Sequence, residues 1–247
     1  IVSRDWSSDV CSSDLNTTGA SNSAFGCQAL ISNTTGSNNI AVGRDALSLN
    51  TTASNNTAVG YQSLYSNTVG GNVAVGFQSA YSNTSGAYNV AVGTGALYTN
   101  STGPENTAVG YQALYSDTSG GNTAVGHKSM FTNVGGYQNT AIGDTSLFLN
   151  TSGVGNAALS FNALYSNTTG SSNTAVGHSA LYSNTTASNN TAVGYQAAYS
   201  NTTGSITTAI GYQALYTNST GSENTALGRQ AGYSTTTGNK NLFVGSQ

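Results

Sequence analysis

A glycine closing an Ala-Val-Gly-like triplet recurs down the chain at Gly26, Gly43, Gly60, Gly76, Gly93, Gly110, Gly126, Gly143, Gly177, Gly194, Gly211, Gly228 and Gly245, with Ser160 in its place once. Eleven of the thirteen intervals are 17 residues and two are 16. A unit this short cannot bury a core of its own. No linker separates one unit from the next, so each has to be covered by its neighbours. Stacking sets like positions in register, roughly 4.8 Å apart. The spacing predicts an all-β protein, a single parallel β-solenoid of about fourteen 17-residue coils over residues 16–247.

The columns of this stack define its parts. The residue before the anchor glycine is β-branched or large and apolar in every repeat, from Phe25 and Val42 to Val244. Two before it stands Ala in all but one, and four before it Asn in all but one. Ala or Ser sits three after the anchor, Leu or Met four after in most repeats, and an aromatic ring five after, as in Tyr65, Tyr81, Phe131 and Tyr216. Asn or Asp sits seven after in all but one, and in-register Asn can form amide ladders between coils. The segment Asn-Thr-Ala-Val-Gly reads as a strand with Val on one face and Ala on the other. Both faces are apolar, so both are expected to be buried, Val in the core and Ala beneath an associating chain. The next segment, as in Tyr-Gln-Ala-Leu-Tyr-Ser-Asn, fits a second strand or a short helical turn, and periodicity does not separate the two over so few residues. Asn-Thr-Thr-Gly-Ser-Asn is turn chemistry. Both short intervals lose their residue there, at Val69-Gly70-Gly71-Asn72 and Ser119-Gly120-Gly121-Asn122, which marks an exposed loop.

Only 5% of the residues are charged and the net charge is −3. Disordered chains usually pair high net charge with few aromatics, whereas here the rings recur on schedule. Five Lys and Arg in all leave no basic stripe for nucleic acid or an anionic membrane surface. No apolar run approaches the roughly 20 residues that span a bilayer. Residues 5–15, DWSSDVCSSDL, share nothing with the repeats and read, codon by codon, as one frame of a common short-read sequencing adapter. Residues 1–15 are therefore set aside as an assembly artefact, expected to be unstructured. Trp6 and Cys11 then carry no function, and no pairing of Cys11 with Cys27 is expected. The repeats are expected to be the middle of a longer fibre, truncated at both ends.

The Asn-Thr-Ala-Val-Gly units, with Ala-Leu a few residues on, resemble the head repeats of YadA-like trimeric autotransporter adhesins and, more closely, those of tail-fibre-domain repeat proteins of bacteria and phages. The resemblance covers residues 16–247. It implies a narrow left-handed β-roll, a homotrimer, and an extracellular place on a bacterial cell surface or a phage virion. This sequence departs from the adhesin repeat in its longer period and in an Asn one residue closer to the glycine. An apolar Ala stripe along the outer face of the strand independently predicts association, since soluble monomers rarely leave such a stripe open.

Catalytic and metal chemistry find little footing. His127 and His178 share the column just after the anchor but lie three coils apart, roughly 14 Å at strand spacing, too far to hold one metal. Asp45, Asp117, Asp144, Glu105 and Glu223 fall in different columns or distant coils and make no acid and base pair. Neither His has an evident partner that would activate a Ser or Thr. No enzyme activity, cofactor or metal is expected. The post-glycine column is the variable one, and it carries Tyr61, Phe77, Tyr111, Phe161, Tyr195 and Tyr212. Variation against a fixed background suggests exposure, and these rings could bind a host-surface glycan or protein or pack between coils and chains. The expected function is that of a structural and adhesive fibre segment. The alternatives are a spacer without a ligand and an ice-binding solenoid using the Thr column from Thr57 to Thr225. That column is interrupted by Ile40, Val73, Val90 and Ala157, and it shares a side with the Val expected inside.

Overall fold

A computed structural model describes residues 15–246, so the segment read as adapter-derived lies, apart from Leu15, outside the described residues. Two compact units divide the chain after Gly121. The first holds β1 (Ser23–Phe25), β2 (Ile40–Val42), β3 (Thr57–Val59), β4 (Val73–Val75), β5 (Val90–Val92) and β6 (Thr107–Val109). The second holds β7 (Thr123–Val125), β8 (Thr140–Ile142), β9 (Ala157–Leu159), β10 (Thr174–Val176), β11 (Thr191–Val193), β12 (Thr208–Ile210), β13 (Thr225–Leu227) and β14 (Leu242–Val244). In each unit consecutive strands pair parallel and in register. Ala58 lies against Ala74 in the first, and Ala175 against Ala192 in the second. The fold is the expected parallel β-solenoid. β-branched Thr and Val favour the extended backbone, and the anchor glycine ends each strand.

The segment after the anchor is neither strand nor helix. Around Gly194, the Ala197 N–H donates to the Gly194 carbonyl (3.3 Å) and the Asn201 N–H to the Ala198 carbonyl (3.1 Å), closing two consecutive turns. Gln196 (φ 51°) and Ala198 (φ 50°) are left-handed, as are most residues in these two columns. The remaining N–H groups reach out to neighbouring coils: Gln196 donates to the His178 carbonyl (2.9 Å) and Ala198 to the Ala214 carbonyl (2.8 Å). Backbone pairing therefore continues around the coil, which leaves few donors unmet. Leu occupies the second of these left-handed columns in most coils despite the steric cost of the conformation. Burial repays it, since Leu97, Leu114, Leu164 and Leu181 are fully enclosed.

The strand faces are the reverse of the expectation. Ala of every internal strand, such as Ala91 and Ala175, is completely buried, while Thr and Val on either side are half-buried or exposed. The coil's cross-section is the physical reason. Its interior already holds one Leu, an Ala or Ser, and two Asn side chains, as with Leu97, Ala96, Asn89 and Asn100. The space left beneath the strand admits a methyl group, so the β-branched residues turn outward.

Two buried Asn ladders knit the coils together. In the pre-strand ladder, the Asn89 backbone N–H donates to Asn72 Oδ1 (2.8 Å) and Asn89 Nδ2 donates to the Gly103 carbonyl (2.9 Å). In the second ladder, Asn184 Nδ2 donates to Asn167 Oδ1 (2.8 Å) and to the Ala187 carbonyl (3.0 Å), which also accepts from Asn173 Nδ2 (2.8 Å). One turn carbonyl thus serves both ladders. The 16-residue coils lose the residue that presents it. There the carbonyl one position earlier takes over, Val69 accepting from Asn67 and Ser119 from Asn106. The first shortened turn is exposed at Thr68 and half-buried from Val69 to Gly71, and the second is exposed at Thr118 and Gly121 and half-buried at Ser119 and Gly120. In the last coil Phe243 replaces the core Ala, and its ring fills the space where Gly232 replaces Leu. A Cβ on Gly232 would meet that ring at 2.6 Å.

Candidate functional site

The post-glycine column is exposed, as its variability predicts. Tyr61, Phe77, Tyr111, Phe161, Tyr195 and Tyr212 all stand in solvent. Coil stacking brings several of them together. In the first unit Tyr61 and Phe77 stack at 5.3 Å between centroids, with the Arg44 guanidinium 6.0 Å from the Tyr61 centroid. Thr94 then separates Phe77 from Tyr111. In the second unit a longer run forms: Phe161 to His178 (5.0 Å), His178 to Tyr195 (5.2 Å) and Tyr195 to Tyr212 (5.3 Å), with Arg229 over Tyr212 at 6.0 Å. Tyr61–Phe77 and Tyr195–Tyr212 are nearly parallel, at 19° and 10°, while the rings on either side of His178 are tilted to it by 43° and 30°. At these spacings neighbouring rings shield much of one another's faces. A ligand would meet chiefly ring edges and phenol hydroxyls, so a sugar lying flat on each ring does not fit this geometry.

Both histidines have partners that the spacing argument missed. His127 Nδ1 lies 3.1 Å from Asp144 Oδ1, both side chains half exposed. His178 Nδ1 lies 3.0 Å from Ser179 Oγ. The cue for the first pair was the column itself, since Asp144 follows His127 by one 17-residue period. No group of three metal-ligating side chains occurs among the described residues.

The column before the anchor is the second part of the site. Phe25, Val42, Val75, Ile142, Ile210, Leu227 and Val244 are exposed, and the other members are half-buried. Thr three before the anchor and Val one before are alternate strand residues, so they lie side by side on one outward surface, and the exposed ring one after the anchor follows just beyond the strand's end. This corrects both the Ala stripe, which is internal, and the placing of Thr beside an interior Val. The surface presents an apolar column in every coil, bordered by aromatic edges.

A second aromatic column, five after the anchor, is half-buried and stacks within each unit. Tyr65, Tyr81, Tyr98 and Tyr115 form one run, with centroids 5.0–5.3 Å apart. Tyr165, Tyr182, Tyr199, Tyr216 and Tyr233 form another, with spacings of 5.1–5.2 Å. Burial, and then the neighbouring tyrosines, push the phenols of Tyr81, Tyr115 and Tyr199 above their ordinary value. No family model matches the chain, and no curated protein or solved structure does so either.

Proposed function

We propose that this chain is a structural and adhesive segment of an extracellular fibre, assembled from three copies and carried on a bacterial cell or a phage particle. The observation that carries this reading is the outward strand surface, with its apolar column in every coil. An apolar stripe of this length on an isolated chain favours coverage, and interface centres are rich in apolar and aromatic groups. Val in the column before the anchor packs between copies. The post-glycine rings form the rim and offer their edges and hydroxyls to a surface glycan or protein. Light scattering coupled to size exclusion tests the assembly: wild type elutes as a trimer, and Val176→Lys with Val193→Lys as a folded monomer. A folded wild-type monomer at micromolar concentration would sink the reading. Replacing Tyr111, Tyr195 and Tyr212 by Ser should abolish cell or glycan binding while assembly persists. Unchanged binding would leave a spacer.

One observation favours a second reading, ice binding. The Thr column faces outward, and in the second unit it runs Thr174, Thr191, Thr208 and Thr225 without interruption. The protruding rings two positions beyond Val roughen that surface. A thermal-hysteresis measurement decides between the two.

A further inference from the structure

We propose that the half-buried tyrosine column is a site of oxidative cross-linking, at which a haem peroxidase supplied with hydrogen peroxide joins adjacent coils through dityrosine bonds. The geometry rests on two runs. Tyr65, Tyr81, Tyr98 and Tyr115 stack in the first unit with interplanar angles of 2–8°. Tyr165 to Tyr233 stack in the second with angles of 4–11°. Each ring is held beside a like ring by the coil register, so the partner for coupling is already in place and need not be met by diffusion. Phe148 next to Tyr165 has no phenol, and the reactive run of the second unit begins after it.

The chemistry balances with peroxide as the oxidant. Two phenols each give up one electron and the hydroxyl proton, and the peroxide O–O bond breaks to yield two waters. The two phenoxyl radicals combine at ring carbons ortho to oxygen, forming one C–C bond. The two ortho hydrogens then move to the oxygens, restoring both phenols. Each phenol has two ortho carbons, so one ring can join both its neighbours. The product is a covalent staple between strands otherwise held by hydrogen bonds and packing. Partial burial disfavours coupling between separate chains, while neighbours at about 5 Å favour it within one.

The test treats the whole chain, dilute, with a haem peroxidase and hydrogen peroxide. Blue dityrosine fluorescence should appear while the chain still migrates as a single chain on a denaturing gel. Mass spectrometry should find peptides bearing Tyr182 and Tyr199, or Tyr81 and Tyr98, joined with the loss of two hydrogens. A variant with the column's tyrosines changed to Phe keeps the stacked rings and lacks the phenols. Of the Tyr–Tyr stacks among the described residues, all but Tyr195–Tyr212 lie in this column, so fluorescence should fall to roughly an eighth. Links found only at Tyr195–Tyr212 or only between chains overturn the proposal. So does a Phe variant as fluorescent as wild type, or no dityrosine at all.

Discussion

Single residues in this fold matter through the position they hold in a column. The anchor glycines combine a left-handed backbone with close contact between coils. At Gly194 (φ 135°) an added Cβ would lie 2.5 Å from the Gly211 carbonyl oxygen. Gly194→Ala should therefore lose at least about 2 kcal/mol in chemical denaturation, from backbone strain and steric overlap together. Ser160 stands at the same place in its coil with φ 119°. Ser160→Gly should gain roughly 1 kcal/mol, the strain relieved exceeding the added unfolded-chain entropy. The Asn ladders follow the same logic of neighbours. Asn218 Oδ1 is buried with no hydrogen-bond partner because the residue one coil further on is Thr235, where the ladder elsewhere supplies an amide. Asn50 Oδ1 is orphaned for a related reason, since Asn67 in the shortened coil turns its amide to the Val69 carbonyl. Thr235→Asn should complete the ladder at Asn218 and raise stability by about 1 kcal/mol, read as a higher denaturation midpoint. An unchanged midpoint would mean that the last turn is too loose to present the amide.

At the scale of the element, the tyrosine ladder links stability to alkaline pH. Burial and the adjacent phenols favour the neutral form of Tyr81, Tyr115 and Tyr199 in the folded state, raising their pKa above 10.0. A group raised on folding contributes stability that is fully present below its unfolded pKa and is lost as pH climbs through the folded value. The denaturant midpoint should hold between about pH 8 and 9.5 and fall above about pH 10, and less steeply when these three residues are Phe. A midpoint flat to pH 11.5, at roughly 1.5 units beyond the ordinary phenol value, would contradict this. The ladder itself was legible in the sequence. In-register stacking needs only a fixed period, so the aromatic column, the Asn columns and the short strand follow from counting. The sign of the strand's two faces does not follow. Ala91 and Val92 are both apolar, and alternation separates them without saying which goes inside. That choice is made by how much room Leu97, Asn89 and Asn100 leave, a property of the closed coil. The left-handed turns were hidden for another reason. Leu is a poor marker of that conformation, and the cue lay in Gly95 and Gly232, which occupy the same two columns at φ 64°. The exposure of Tyr195 and Tyr212 was legible from variation. Their mutual shielding was not, because it depends on ring tilt.

At the scale of the molecule, each unit behaves as a one-dimensional array in which a coil touches only its neighbours. Length changes should therefore be judged by register rather than by size. Deleting residues 178–194 removes one whole coil and joins Gly177 to Tyr195, the same junction that Gly194 makes in the native chain. Every column closes up by one step: Phe161 meets Tyr195, Tyr165 meets Tyr199, and Asn167 meets Asn201. The variant should fold with the β-type circular dichroism of wild type and lose only one coil's share of stability. Deleting Ala192 alone removes a single residue, yet it shifts the strand by one and exchanges its inward and outward sides. Thr191 or Val193 must then enter a space that holds a methyl group, and the Asn190 ladder no longer meets Asn173. This smaller deletion should cost more than the larger one, lowering the denaturation midpoint further and broadening the transition. The turn is the exception that supports the rule, since the natural 16-residue coil of the first unit loses its residue there and keeps the strands on either side, β3 and β4, aligned. If the single deletion proved milder than the loss of the coil, stability would not be carried by columns, and packing within each coil would have to carry it instead.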